Sequence, residues 1–351
     1  MNIEQGARLM KIEHTELGLI NDILTVFKKE TGLKIEVIPR DQYNLPWFDA
    51  GIRITKDNIE MVFPVQVKTT LTRATLGIIA QQIVLNHQRM LIVTRYVPPQ
   101  MAGRFKELDI PFIDAAGNAY INEPQLFLYI KGNKQLDKYK NIGTTKTFNQ
   151  AGLKIIFTLL CNPGLENEPY RMIADKADVA LGTVGGVIGD LKNKNFLMDM
   201  GEKGRRLLNK KKLLTRWITA YPEQLRPKLQ LGYFKARDIH WWENAIFNNK
   251  AYFGGEVAAH IVTKYLKPHV VTVYAYQPLG PLLLQNRLKN TPNGDIEILK
   301  IFWNFKFKWQ YPDLVHPILI YADLIATGDE RNIETANMIY EKELIRFIGQ
   351  D

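Results

Sequence analysis

The segment 169–217 constrains the fold most, because its amino-acid sequence alone predicts two short helices, a tight turn and a basic hairpin. Pro169 opens a helical pattern, as proline commonly does at the first turn of a helix. The pattern breaks before Gly182 and then resumes. The sequence therefore predicts a helix, a turn and a second helix.

The second of these helices, predicted over residues 183–192, has apolar residues at steps of three and four. This stripe consists of Val184, Val187, Ile188 and Leu191. The spacing predicts one buried face, with Thr183 and Lys192 outside it. Small residues on the remaining face would allow the helix to approach a DNA major groove closely. These small residues are Gly182, Gly185 and Gly186.

A basic hairpin is predicted after this helix. The segment 195–200 predicts a strand, and glycines at 201 and 204 bound a turn that is followed by a second strand or the start of a helix. From Glu202 to Arg216, seven basic residues accompany one acidic residue, a density suited to neutralising phosphates. The predicted DNA contacts are Thr183, Lys192, Lys203, Arg205, Arg206, Lys210 and Lys211. The alternative is that this module makes protein contacts only and that its cations stay solvated.

Composition limits the partners and the compartment. The chain has 351 residues, a net charge of +10 and a pI near 9.4, which favour two or three domains and a polyanionic partner. Cys161 is the single cysteine, so it cannot form an internal disulfide. The N-terminus lacks a basic start and an apolar stretch, and no run approaches the ~18 apolar residues of a membrane span. We therefore expect a cytoplasmic protein that binds double-stranded DNA and no membrane.

The first domain is predicted to begin with a helix over 15–30 and three strands over 33–38, 48–54 and 59–68. Glu16 points the way the buried stripe of this helix points, which is costly for a carboxylate without a cationic or metal partner. Alternation in the third strand puts Gln66 and Lys68 on one face. Asp49 begins the preceding strand, so an antiparallel hairpin would bring it close to both.

This order of elements, with Asp49 and Gln66-Val67-Lys68 in these places, resembles the restriction-endonuclease-like fold of PD-(D/E)xK nucleases. The resemblance implies Mg²⁺ held by Asp49 and Gln66, with Lys68 placing the attacking water and Glu16 as the helix carboxylate. Gln66 departs from the commonest pattern, and an amide oxygen is a poorer ligand for a hard cation than a carboxylate. Restriction enzymes of the Mrr type are similar in having Asp followed by Gln-x-Lys. The alternative is a polar sheet edge that only holds structure or touches DNA.

Beyond residue 217, aromatic-rich helices and strands predict a small α/β unit. Asp295 and Glu297 lie on one face of a predicted strand, as the metal-binding acids of nucleotidyltransferases would. The Gly-Ser that should precede such acids is missing. Asp323 and Asp329 are predicted instead to cap a helix and to form ion pairs on its surface.

Two further stretches of the sequence resemble known families. The stretch "ADKADVALGTVGGVIGDLKNKNFL" resembles the winged helix-turn-helix of bacterial regulators. It joins other blocks that, in this order, resemble the AbiEi family, antitoxins of type IV toxin-antitoxin systems. The blocks span residues 112–341 and read "FIDAAGNAYI", "GTVGGVIGDLKNKNFL", "RRLLNKKKLLTRWITAYPEQLRPKL", "GGEVAAHIVTKYL" and "YADLIATGDERNIETANMIYE". The resemblance implies a repressor of its own operon that opposes a nucleotidyltransferase-like toxin.

The sequence thus predicts an α/β multidomain chain. Its parts are a restriction-endonuclease-like domain (1–145), a winged helix-turn-helix (146–217) and a C-terminal AbiEi-like α/β domain (218–351). The first functional hypothesis is a DNA-binding regulator that needs no cofactor. The second is a Mg²⁺-dependent DNA nuclease guided by the winged helix, and the third is a protein-interaction scaffold. No oligomeric state is predicted.

Overall fold

The computed structural model describes residues 19–38, 49–57, 59–68, 71, 73–86, 89–137, 146–238, 240–245, 247 and 250–348. The chain divides into two compact units, Met1–Gly143 and Thr144–Asp351. In these described ranges, no helix is both long and apolar enough to cross a bilayer.

The first unit is a mixed α/β layer structure. Its described strands form one seven-stranded sheet in chain order, and they are β1 (Lys34–Ile38), β2 (Ala50–Lys56), β3 (Ile59–Lys68), β4 (Leu91–Thr94), β5 (Phe112–Asp114), β6 (Ala119–Glu123) and β7 (Leu126–Ile130). Strands β3, β4 and β5 run parallel, and the other neighbouring pairs are antiparallel. The described helices of this unit are α1 (residues 19–31), α2 (Arg73–Asn86) and α3 (Pro99–Glu107).

Each face of this sheet carries its own apolar core. One core joins α1 to the strands through Ile23, Val65 and Val67. The other joins α2 and α3 to the opposite face, where Ile92 and Phe112 lie. Because side chains alternate along a strand, Gln66 and Lys68 stand on the face opposite Val65 and Val67, as the sequence pattern predicted.

The second unit begins with helices and a short hairpin. In chain order these elements are α4 (Gln150–Cys161), α5 (Tyr170–Ala177), α6 (Leu181–Asn193), β8 (Leu197–Asp199), β9 (Arg205–Leu207) and α7 (Lys210–Gln224). Strands β8 and β9 pair antiparallel. The predicted stripe of α6 is confirmed, because Val184, Val187, Ile188 and Leu191 are its buried residues.

The rest of the second unit surrounds a five-stranded sheet of order β11-β12-β14-β10-β13. Its strands are β10 (Gln230–Lys235), β11 (Ala251–Gly254), β12 (Val271–Ala275), β13 (Lys289–Asn290) and β14 (Ile296–Lys300). Its helices are α8 (Arg226–Leu229), α9 (Gly255–Thr263), α10 (Gly280–Gln285), α11 (Pro317–Thr327), α12 (Glu330–Ile339) and α13 (Ile345–Ile348). Strands β12 and β14 are parallel.

Helix α7 runs through residue 217 and links the hairpin to the five-stranded sheet by an aromatic core. Trp217 donates a hydrogen bond from its indole to the carbonyl of Leu153 at 2.8 Å and stacks on Tyr221 with ring centroids 4.7 Å apart. The hydroxyl of Tyr221 lies 2.6 Å from that of Tyr274 in β12. Residues on both sides of position 217 therefore share one buried interior.

A buried ion cluster lies beside this aromatic core and corrects the prediction for Asp323. That side chain was expected on a helix surface, but the residue is only 4% exposed. Its carboxylate accepts a 2.9 Å hydrogen bond from Nε of Arg226, whose other nitrogens donate to Glu297 at 2.6 and 2.9 Å. The carboxylate thus has a cationic partner, which makes its burial tolerable. The cap predicted for Asp329 is confirmed by a 3.1 Å hydrogen bond from the amide of Asn332.

Candidate nucleic-acid interface

The outward face of α6 is nearly bare of side chains. Leu181, Gly182, Gly185 and Gly186 are exposed, whereas Thr183 is half-buried. A Cβ added at Gly182 or Gly186 would meet no atom within 4 Å. The face therefore gives another molecule direct access to the helix backbone.

The turn before α6 is fixed by a lysine from α4. Asp178 takes a left-handed conformation with φ of 50°, which acidic and amide side chains tolerate better than most. The ammonium of Lys154 donates to the carbonyl and to the carboxylate of Asp178, both at 3.0 Å. These contacts tie the end of α5 to α4.

The C-terminal end of α6 is anchored by Asp190. Its carboxylate accepts hydrogen bonds from Thr147 and from Lys194. Partial burial raises the pKa of Asp190, but the bonds from Lys194 and Thr147 outweigh it and leave that pKa below its usual value. Asp190 is thus an ionised structural anchor.

Strand β9 is held on the start of α5 by Arg205. The amide of Arg205 donates to the side chain of Asn167 at 2.5 Å, and its guanidinium donates to the carbonyl of Glu168 at 3.0 Å. The guanidinium also lies 5.1 Å from the ring centroid of Tyr170, within cation–π range. Gly204 is closely packed, because a Cβ there would overlap the side-chain oxygen of Asn167. Arg205 is therefore engaged inside the protein.

Lys192 is also engaged. Its ammonium lies 2.6 Å from the carboxylate of Asp199 in β8. The hydrogen bond from Lys192 lowers the pKa of Asp199, which favours the ionised carboxylate. The contact ties the last turn of α6 to the hairpin.

The other predicted cations differ in how freely they face outward. Lys203, Arg206 and Lys211 are exposed, and Lys210 is half-buried with a partner. The ammonium of Lys211 lies 6.0 Å from the ring centroid of Tyr340. Three further exposed cations in this region, Arg171, Lys212 and Arg216, were not among the predicted contacts. Lys212 was visible in the run Lys210-Lys211-Lys212, and Arg171 at the start of α5.

The predicted nuclease residues lie in the first unit, where Asp49 is hydrogen-bonded to the backbone of the two residues that flank Gln66 in β3. The amide of Asp49 donates to the carbonyl of Val65, and the amide of Val67 donates to the Asp49 carboxylate, both at 2.8 Å. Gln66, which lies between Val65 and Val67 in β3, is 7% exposed. Its Oε1 is buried without a hydrogen-bond partner among the described residues. Glu16 lies outside the described residues.

Lys68 ends β3, beside the end of the parallel strand β4. Lys68 pairs in register with Thr94, which is fully buried and whose hydroxyl also has no hydrogen-bond partner in the described part of the chain. Lys68 itself is half-buried and has a partner. Ligands often bind at the carboxyl ends of parallel strands. Gln66 and Lys68 thus share a sheet face with an unsatisfied hydroxyl.

The donor set at this place can be tested against a magnesium ion. Asp49 supplies one exposed carboxylate and Gln66 one unsatisfied amide oxygen. Magnesium is commonly held by one or two carboxylates together with waters and substrate phosphates. In the described ranges, no group of three or more His, Cys, Asp or Glu side chains could hold a metal ion. The residues fit a cation that keeps most of its water and phosphate ligands.

Residues 206–345 match the AbiEi antitoxin family. The description of that family is "Transcriptional regulator, AbiEi antitoxin, Type IV TA system". No curated protein and no solved structure matched the chain.

The AbiEi match begins inside β9 and supports the resemblance seen in the sequence. It includes Arg206, Lys210 and Lys211 and continues through the buried Arg226 cluster. Helices α5 and α6, with the bare face, lie before the matched residues. The matched family consists of regulators of type IV toxin-antitoxin systems.

Proposed function

We propose that this chain is a DNA-binding transcriptional regulator that represses its own operon and opposes a nucleotidyltransferase-like toxin. In this proposal residues 146–217 act as a winged helix-turn-helix and residues 218–351 as the C-terminal AbiEi-like domain. The observation that carries it is the bare face of α6 followed by a hairpin with exposed Lys203 and Arg206. The AbiEi match supports the regulatory role.

The cationic residues have two different roles in this proposal. Lys203, Arg206 and Lys211 neutralise phosphates, because exposed cations can release condensed counterions from DNA. Arg205 positions the wing strand against α5 rather than contacting DNA. Thr183, at the edge of the bare face, contacts base edges. DNA binding by these groups needs no cofactor.

Binding to a labelled duplex from upstream of the protein's own gene tests the DNA-binding step. Measured by fluorescence anisotropy over a range of salt concentrations, log Kd should depend linearly on log salt concentration. Arg206→Ala and Lys203→Ala should each reduce the steepness by about 1. Arg237→Ala, which removes an exposed cation outside the hairpin, is the matched control. Equal slopes for all variants would contradict the assignment of the hairpin.

The repression step and the toxin step need separate measurements. A reporter fused to the upstream DNA should be repressed by the parent chain and released by Lys203→Ala with Arg206→Ala. Co-expression with the product of the neighbouring gene should restore growth if that product is the toxin. Because such an antitoxin need not touch its toxin, growth rescue and physical association are scored independently.

A second candidate function is a Mg²⁺-dependent DNA nuclease in residues 1–145. The order α1, three antiparallel strands, α2 and a strand parallel to β3 supports a restriction-endonuclease-like fold for that domain. The specific observation in favour of chemistry is the buried, unsatisfied Oε1 of Gln66 beside Asp49. A buried polar atom without a partner costs free energy, so it is a candidate ligand atom.

Each residue has a definite role in this candidate. Asp49 and Gln66 would hold the metal through one carboxylate oxygen and Oε1. The bound ion would supply Lewis-acid stabilisation of the phosphate and a more acidic water. Lys68 would orient the attacking water by donating a hydrogen bond to it, and Glu16, which lies outside the described residues, would add a second carboxylate.

Incubation of plasmid with Mg²⁺ or Mn²⁺ tests the nuclease. The parent should nick the plasmid, and Asp49→Ala and Lys68→Ala should each abolish nicking. Asp57→Ala, which removes a turn carboxylate from the same antiparallel hairpin, controls for loss of charge. Nicking that survives both site substitutions would remove this site from consideration.

A further inference from the structure

The outward face of α6 combines apolar character with missing side-chain bulk. Leu181 is 48% exposed and Tyr170, at the start of the neighbouring α5, is 37% exposed. A Cβ placed on Gly185 would lie 3.6 Å from the ring of Tyr170, so the ring borders this glycine. Together these residues form a shallow apolar surface beside accessible backbone.

Few polar side chains of α6 are free to read hydrogen-bonding groups. Asp190 is bound to Thr147 and Lys194, and Lys192 is bound to Asp199. Asn193 is exposed, but it is the last residue of the helix. Apart from Thr183 at its edge, the face therefore offers the Leu181 side chain and glycine backbone rather than side-chain donors and acceptors.

The charges near this surface indicate which kind of molecule binds to it. Exposed Lys203 and Arg206 follow in the hairpin, whereas Lys192 in the last turn of α6 is paired with Asp199. Exposed cations in the segment that follows an apolar face favour a polyanion over a neutral protein surface. In the major groove of DNA, the apolar group on a base edge is the C5-methyl group of thymine.

We infer that α6 recognises thymine through its C5-methyl group, with Leu181 as the main contact and Tyr170 beside it. This inference rests on the proposed DNA binding. The N-terminal residues of a recognition helix commonly meet base edges, and Leu181 is the first residue of α6. The glycines let the backbone come close enough for a leucine to reach the methyl group.

The test uses the full chain and two sets of duplexes. Selection from randomised duplexes first yields a preferred sequence. Each thymine of that duplex is then replaced singly by uracil, which removes only the methyl group. Affinities are measured for the parent, for Leu181→Ala, and for Leu284→Ala, which truncates an exposed leucine in α10. The measurements are made at one fixed salt concentration.

Uracil at one or two adjacent positions should weaken parent binding by about fourfold each, the factor expected for one buried methyl-sized group. Leu181→Ala should bind thymine and uracil duplexes equally, while Leu284→Ala should behave as the parent does. Uracil tolerated at every position, or a uracil penalty that persists in Leu181→Ala, would overturn the inference. If the parent binds no duplex at low salt, the proposed DNA binding itself fails, and this inference fails with it.

Discussion

The guanidinium of Arg205 lies over the ring of Tyr170, 5.1 Å from its centroid. The two residues are far apart in the chain, and their contact joins strand β9 to helix α5. Arg205 and Arg206 are neighbours in a strand that alternates, so their side chains point to opposite sides. One arginine therefore faces the protein and the other faces outward.

The first prediction separates these two arginines by stability. Arg205→Ala should lower the free energy of unfolding of the second unit by about 1 kcal/mol, because it removes a cation–π contact and a hydrogen bond to a carbonyl. Arg206→Ala should change it by less than about 0.5 kcal/mol, as is usual at exposed positions. Urea unfolding followed by tryptophan fluorescence measures both. Equal stabilities of Arg205→Ala and Arg206→Ala would mean that the Arg205 contacts do not stabilise the position of β9.

The second prediction concerns the pair Lys192 and Asp199. Asp199→Asn should free the ammonium for phosphate and increase the steepness of the salt dependence of DNA binding by about 1. In the Lys192→Ala background the same substitution should leave the slope unchanged, and this double-mutant cycle is the control. If Asp199→Asn has no effect in the parent, Lys192 does not reach DNA.

The pH behaviour of this pair follows from the sign of the shift. The hydrogen bond from Lys192 lowers the pKa of Asp199 below 3.8. The stabilisation is therefore present above the unfolded pKa and is lost only as pH falls through the still lower folded pKa. Between about pH 5 and 8 the effect of Asp199→Asn on the slope should stay constant.

The third prediction is acid sensitivity caused by His316. This residue caps α11, where its Nδ1 accepts a 3.3 Å hydrogen bond from the amide of Ile318, and burial lowers its pKa from 6.5 to about 3. As the pH falls, the imidazole of His316 therefore binds a proton in the unfolded chain while it stays neutral in the folded chain. Stability is complete above pH 6.5 and is lost as pH falls toward 3, by about 2 kcal/mol between pH 7 and 5.

Equilibrium unfolding at several pH values measures this loss. His316→Asn keeps a side chain that can cap a helix but has no titrating ring, so its stability should fall less steeply between pH 7 and 5. Parallel pH profiles for the parent and for His316→Asn would show that another group controls the acid sensitivity.

The fourth prediction concerns the buried cluster around Arg226. Burial alone would lower the pKa of this guanidinium, but the Asp323 carboxylate leads the groups that hold it well above its usual range. Arg226→Met would leave Asp323 and Glu297 buried without their cation, at a cost of roughly 3–5 kcal/mol of stability. Arg331→Met is the matched control, because Arg331 has 36% side-chain exposure and ion-pair distances of 3.7 and 3.8 Å. It should cost less than about 1 kcal/mol in urea unfolding.

Local periodicity predicted much of the fold and part of the candidate sites. The stripe of α6, the basic hairpin and the two faces of β3 follow from residues a few positions apart. These patterns report which side of an element is buried. They also placed Asp49 beside Gln66, because a short antiparallel connection fixes which residues face each other.

The partners of the charged side chains could not be predicted in the same way. Arg205 contacts a carbonyl 37 residues away, and Arg226 contacts a carboxylate 97 residues away. Whether an arginine faces phosphate or protein depends on such distant contacts, which leave no trace in spacing. Asp323 was predicted to lie on a surface for this reason. An acidic residue in a helix is expected to be exposed unless a buried cationic partner is known. The exposed Leu181 was not among the predicted DNA contacts, because those residues were chosen for their charge or polarity.

Helix α7 carries Trp217 toward α4 and Tyr221 toward β12, so the two halves of residues 144–351 have no independent interior. An exchange of gene segments that cut between them would leave aromatic rings facing water in both products. Recombination among related genes is therefore expected to shuffle residues 144–351 as one block.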